Sequence, residues 1–220
     1  MSHLIRPITH SEGPIVAPAQ GLSRVSFFQL VRLGAGASRS ISVPGCETLC
    51  VVLSGRATIA VGRDVFKEVG CRAGIWDGPA DSVYCGTGRT IAITAHRDNT
   101  EIAVAGGVCA QSFAPFRITP EEVSMVEVGS VATHSRRRIF HILGELYADG
   151  GCWSGYPPHK HDTERPPEET NFEEIYHYRF NPETGFGGQF LYDEQVPGAA
   201  EPKVVMTRHG DTFLVDKGYH

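Results

Sequence analysis

Residues 155–162 read Gly-Tyr-Pro-Pro-His-Lys-His-Asp, and residues 173–178 read Glu-Glu-Ile-Tyr-His-Tyr. In an extended strand, side chains i and i+2 point to one face. His159 and His161 can therefore aim both imidazoles at one point, with Lys160 turned away. On a following strand Glu174, Tyr176 and Tyr178 share a face. A carboxylate opposite an H-x-H pair completes a two-histidine, one-carboxylate donor set that suits a divalent metal ion. Pro157-Pro158 stiffens the backbone leading into the first candidate ligand. Further on, Gly210-Asp211, an apolar strand and Gly218-Tyr219-His220 place another histidine after a glycine turn. The H-x-H pair alone is a weak signal, because histidine is a frequent polar residue as well as a frequent ligand. The carboxylate and the third histidine raise it.

The elements that must position these groups read as short strands. Strands are predicted at Val25–Leu33, Thr48–Leu53, Ala57–Val61, Ser82–Cys85, Thr90–Ala95 and Glu101–Ala105. Ser54-Gly55 between two of them reads as a hairpin turn. Later strands are predicted near Arg138–Leu143, Glu174–Phe180, Gly188–Tyr192, Lys203–Thr207 and Thr212–Val215. Residues 1–24 read as an arm or an edge strand with loops. Thr119 before Pro120-Glu121-Glu122 offers a weak helical cap within a connector, and Arg136-Arg137-Arg138 reads as a solvated turn. The polar, proline-bearing run 162–170 reads as a surface loop. Long amphipathic helical patterns are absent, which argues against an α/β fold. An all-β sandwich or barrel is expected.

Composition agrees. The 220 residues include 25 glycines and 14 prolines, as a chain with many turns requires. The net charge of −5 gives no basic footprint for nucleic acid. No apolar run is long enough to span a membrane, and Met1–Pro7 lacks the apolar core of a signal peptide. The six cysteines form no C-x-x-C pair. Free, mostly buried thiols in a cytoplasmic protein are expected.

The order H-x-H, Glu, distant His resembles the cupin metal motif, with a longer stretch (162–173) between the second histidine and the glutamate than ordinary cupins have. Tyr156–Asp162, Glu174–Phe180 and Gly185–Gln189 are similar to the 5-deoxy-glucuronate isomerase family of myo-inositol catabolism. So are Ser54–Ala57, Phe66 through Asp77-Gly78-Pro79, Ile118–Glu121 and Arg137-Arg138. The resemblance implies a bicupin of two jelly-roll barrels. Residues 1–115 would form a degenerate N-terminal cupin, 116–137 a connector, and 138–220 a metal-binding C-terminal cupin. The family continues with further strands, so an incomplete second barrel is expected here.

The resemblance makes His159, His161, Glu174 and His220 the metal ligands. It implies an aldose–ketose isomerase that converts 5-deoxy-glucuronate to 5-dehydro-2-deoxy-gluconate. A divalent metal, zinc or manganese, would polarise the carbonyl and its neighbouring hydroxyl. Tyr176 and Tyr178 are the candidates for proton transfer, and Arg179, Lys160 and Gln189 the candidate substrate contacts. Regular alternation turns Lys160 and Arg179 away from the metal and His177 outward, and His209 reads as a loop residue. Phe190 stands where the family usually has arginine. The expected partner is a small anionic sugar acid, with self-association into a homo-oligomer and neither nucleic acid nor membrane. The alternatives are the related uronate ketol-isomerase of pectin breakdown, a non-catalytic metal-binding sugar-acid bicupin, and an iron dioxygenase using the same triad.

Overall fold

The computed structural model describes residues 3–7, 12–18, 22–128, 135–140, 143–155, 157–193 and 203–220. The strands in chain order are β1 (Leu4–Ile5), β2 (Val25–Leu33), β3 (Ser38–Ser42), β4 (Cys46–Ser54), β5 (Ala57–Val61) and β6 (Asp64–Val69). β7 (Asp81–Cys85), β8 (Thr90–Ala95), β9 (Thr100–Val108) and β10 (Phe116–Ile118) follow, then β11 (Ser124–Val128), β12 (Ser135–Phe140) and β13 (Leu143–Tyr147). The last are β14 (Glu174–His177), β15 (Phe186–Leu191), β16 (Lys203–Arg208) and β17 (Thr212–Val215). The only helical element among the described residues is a 3-10 turn, Pro120–Glu122, with Thr119 at its cap. Among the described residues no helix is long and apolar enough to cross a membrane.

Two sheets make a first sandwich. One has the order β10-β7-β4-β9-β2 and the other β3-β8-β5-β6. Between them lie Val31, Cys50, Val52, Ile59, Val61, Val83, Ile91, Ile93, Ile102 and Val104, all buried. The run Leu49-Cys50-Val51-Val52 shows why the middle of β4 is apolar. Cys50 and Val52 face that core, while Leu49 and Val51 face a second one on the outer side of the same sheet. A strand covered on both faces has no polar side to show. The second core takes Leu214 from β17, with Ile175 of β14 and Ile5 of β1 packed against it. A three-stranded layer, β1-β17-β14, thus lies on the first sandwich. The N-terminal arm supplies its edge, with Leu4 opposite Phe213.

The expected hairpin at Ser54-Gly55 does not form. β4 pairs with β7 and β9, whereas β5 pairs with β6 and β8, so this turn carries the chain from one sheet to the other. Sandwich corners use the same turn residues as hairpins, and the turn alone cannot say which sheet comes next. Gly55 is required there: its φ is +84°, and a Cβ would lie 2.5 Å from Thr100 Oγ1. The tight hairpin comes one strand later, where Val61 pairs with Asp64.

Arg136–Arg138 also depart from expectation. They lie in β12, paired on both sides by β11 and β13, and are not a turn. The strand expected over 138–143 is divided between β12 and β13. β15 and β16 form a separate two-stranded sheet.

Candidate metal centre

The H-x-H segment is held by two sets of backbone bonds. His159 and His220 exchange N–H···O bonds of 3.3 and 3.1 Å, which brings residues 61 apart in sequence side by side. The His161 carbonyl accepts from the Phe172 N–H at 2.9 Å. Both ends of the intervening loop are therefore pinned at its base, and the long stretch 162–173 still delivers Glu174 beside His161. Glu174 opens β14, opposite Val215.

One ring nitrogen from each of His159, His161 and His220 lies within 4.8 Å of the others. His161 Nε2 is 3.6 Å from Glu174 Oε1, and His220 Nε2 is 3.4 Å from Glu174 Oε2. The other ring nitrogens are tied to backbone carbonyls. Nδ1 of His161 lies 2.8 Å from the Phe172 carbonyl, that of His220 3.2 Å from the Gly218 carbonyl, and that of His159 3.3 Å from the Pro157 carbonyl. An Nδ1–H donated in this way leaves an Nε2 lone pair aimed inward, the arrangement metal-ligating histidines adopt.

His161 Nε2, His220 Nε2 and Glu174 Oε2 are buried with no hydrogen-bond partner. Unpaired buried polar atoms are costly, and three converging on one another mark a place built for something else. Three imidazoles and one carboxylate suit a divalent cation, so the donor set fits the metal that the sequence implies.

The charges of the site are set locally. Burial by itself would raise the Glu174 pKa, but the neighbouring His161 and His220 rings and the Tyr176 hydroxyl outweigh it and hold the carboxyl well below its usual range. Burial, followed by the neighbouring His220, lowers the His159 pKa. For His161, burial opposes protonation, yet Glu174 and the Phe172 carbonyl raise its pKa overall.

β14 alternates as its sequence requires. Glu174, Tyr176, Tyr178 and Phe180 follow one another along the inner face. The Tyr176 ring lies 6.1 Å from that of His220 and 6.3 Å from that of Tyr178, which lies 6.4 Å from Phe180. The Tyr178 hydroxyl donates to Gln189 Oε1, and Gln189 Nε2 donates to the Phe190 carbonyl at 2.9 Å. Burial, then Glu174 and Asp211, push the Tyr178 pKa up.

The opposite face turns to the first sandwich. Ile175 packs on the second core, and the His177 ring lies 5.3 Å from that of Phe28. Arg179 donates from Nε to His177 Nε2 at 3.1 Å and from Nη2 to Glu101 Oε1 at 2.9 Å. Lys160 Nζ donates to Asp162, Thr163 and Glu169. The structure thus brings His159, His161, Glu174, His220 and Tyr176 together and continues through Tyr178 to Gln189. It turns Lys160 and Arg179 away from the histidines, into ion pairs with Asp162, Glu169 and Glu101. His209 joins the backbone of Phe180.

Several supporting residues were not singled out in the sequence. Phe172 stacks on His161 with ring centroids 3.7 Å apart and planes 7° from parallel. Asp162 Oδ2 accepts from the Gly218 N–H at 2.8 Å, linking the residue after one histidine to the turn before another. The loop 162–170 is more than surface chain. Buried Glu169 accepts from the backbone N–H groups of Asp162 and Thr163 and from Lys160, which folds the loop about its carboxylate. Only the acidic spacing within 162–170 could have signalled this.

Antiparallel sheets in stacked layers, with three histidines and one glutamate gathered beside the β1-β17-β14 layer, define an all-β, cupin-like protein with a candidate metal centre. The chain belongs to the KduI/IolB family, whose model matches residues 8–220. A relative from Listeria innocua named 5-deoxy-glucuronate isomerase is 30% identical over 217 residues, covering 91% of this chain and 77% of the relative. One of the same name from Lacticaseibacillus casei is 29% identical over 231 residues, covering 99% and 80%. The crystal structure of an IolB-like protein from Salmonella typhimurium LT2 superposes with a TM-score of 0.88 at 27% identity, covering 100% of this chain and 86% of that one. A putative glyoxylate-induced protein from Pseudomonas aeruginosa shares the fold, with a TM-score of 0.58 at 9% identity over 94% of this chain and 73% of that one.

Proposed function

We propose that this chain is a metal-dependent aldose–ketose isomerase that converts 5-deoxy-glucuronate, a small anionic sugar acid, to 5-dehydro-2-deoxy-gluconate in myo-inositol catabolism. The names carried by its relatives support the substrate. The observation that carries the metal dependence is the convergence of three buried, unpartnered donor atoms on one point.

His159, His161, Glu174 and His220 would hold the ion, with zinc or manganese the best match to nitrogen and oxygen donors. When bound, it supplies Lewis-acid polarisation of the sugar's carbonyl and adjacent hydroxyl oxygens. The isomerisation also requires a proton to pass between neighbouring carbons. Tyr176 and Tyr178 line the same face as Glu174. The Tyr176 hydroxyl donates to the Glu174 carboxylate. Tyr178 holds its proton tightly because burial disfavours the phenolate; its one O–H orients Gln189, and its oxygen is left to accept from a sugar hydroxyl. Carbonyls at Phe172, Gly218 and Pro157 keep the imidazoles in the ligand tautomer.

Metal-replete full-length protein is expected to turn over 5-deoxy-glucuronate, to lose activity on chelation, and to regain it when zinc or manganese is restored. The deoxy-keto-uronate of pectin breakdown, assayed in parallel, separates the related ketol-isomerase reading. Turnover of neither substrate by metal-replete protein would overturn the proposal.

A further inference from the structure

Glu173 precedes the candidate ligand Glu174 and, one residue along an extended chain, faces the opposite way. Its carboxylate is filled by the start of β2. Oε1 accepts from the Ser23 N–H at 2.9 Å and the Ser23 hydroxyl at 2.8 Å. Oε2 accepts from the Arg24 N–H at 2.6 Å and the Val25 N–H at 3.1 Å. Three successive backbone N–H groups around one carboxylate make an anion nest. The Arg24 guanidinium adds a bond to the Asn171 carbonyl. β2 is itself held rigidly, paired with β9 along its length.

The three histidines are fixed differently. His159 and His220 hold each other through the backbone, and His161 is held by Phe172. Glu174 comes from another strand, and its pairing with Val215 is the first in β14. Residue 173 therefore sits between the Phe172–His161 bonds and the first pairing of β14, and the nest at Ser23–Val25 adds a hold from outside the layer.

We propose that Glu173 is a positioning residue of the metal centre. By clamping the start of β14 to the start of β2, it sets where the Glu174 carboxylate stands against the histidines, and so makes the first sandwich part of the site's scaffold. The inference rests on the metal-centre reading above.

The test is a zinc titration of the full chain against a chromophoric chelator, with urea unfolding of each variant alongside. Glu173→Gln keeps the side chain's length, but its NH2 cannot accept from the N–H groups of Arg24 and Val25. Its zinc affinity is expected to fall about 10–100-fold, the range for outer-shell changes. Glu173→Asp retains both acceptor oxygens and is expected to recover part of the loss. It carries the test alone should the glutamine variant not fold. Ile59→Ala, in the core of the first sandwich, lowers stability but is expected to bind zinc as the wild type does. Wild-type affinity in both Glu173 variants, or an equal loss in Ile59→Ala, overturns this inference alone. Failure of the wild type to take up zinc or manganese overturns the metal-centre reading and this one with it.

Discussion

Between its two sheets the first sandwich buries a continuous cluster of valine, isoleucine, alanine, cysteine and phenylalanine side chains. The interior flanked by β14, β17 and β15 holds His161, His220, Glu174, Tyr176, Tyr178 and Gln189 instead, with three donor atoms left unpaired. Both regions are built from antiparallel strands with alternating faces. They differ in what the inward face carries. One region converts burial into stability, at about 25 cal/mol per Å² of apolar surface. The other gives up that gain to keep charged and polar groups converging on one point, and it leans on the first through Ile175, His177 and Glu173. The candidate metal centre thus gathers its polar groups beside a rigid apolar neighbour that supports it.

The division of labour can be broken from either side. The largest effect is expected on the polar side. His161→Ala removes a donor that nothing nearby can replace, so metal affinity should fall by more than the roughly 100-fold ceiling of an outer-shell change. Unfolding stability without metal should drop by only about 1 kcal/mol. Metal content by elemental analysis and a urea titration read the two separately. Next is Ile59→Ala on the apolar side. Ile59 is fully buried, and its truncation should cost about 2–5 kcal/mol of stability in urea unfolding.

A third effect lies on the face where the two regions meet. Burial first, and then Arg179, His209 and Arg32, hold the His177 pKa down at about 3. Its ordinary value is 6.5. As the pH falls, the unfolded chain takes up this proton before the folded one does. Stability is therefore full above about 6.5 and lost progressively down to about 3, with a slope of at most about 1.4 kcal/mol per pH unit. His177→Asn should remove this contribution from a series of urea midpoints across that range. The smallest effect is at Gly218, whose φ is +91° and where a Cβ would lie 2.8 Å from the Tyr192 carbonyl oxygen. Gly218→Ala should cost about 1–2 kcal/mol and shift His220. Metal affinity measured by chelator competition should then fall roughly tenfold.

Much of the candidate site's geometry was legible because it depends on period-two alternation. His159 and His161 share a face, as do Glu174, Tyr176 and Tyr178, and Lys160 and Arg179 turn away, as alternation requires. The strands of the first sandwich were legible for the same reason, with Val25–Leu33 and Ala57–Val61 lying where they are predicted. Pairing was not legible. Ser54-Gly55 marks a change of direction, but only the positions of β7 and β9 reveal that the chain changes sheet there. Phe172 and Glu173 carry no local signal either. The value of Phe172 lies in a ring eleven residues upstream, and that of Glu173 in backbone groups about 150 residues away. Contacts of that range are set by how the layers stack, which no periodicity encodes.

The central claim is that the polar interior exists to hold one divalent ion. Anomalous diffraction from crystals of the full chain soaked in zinc or manganese tests it most directly. A single strong peak ligated by His159, His161, His220 and the Glu174 carboxylate is expected. A peak elsewhere, or none among these four residues at saturating metal, would contradict it.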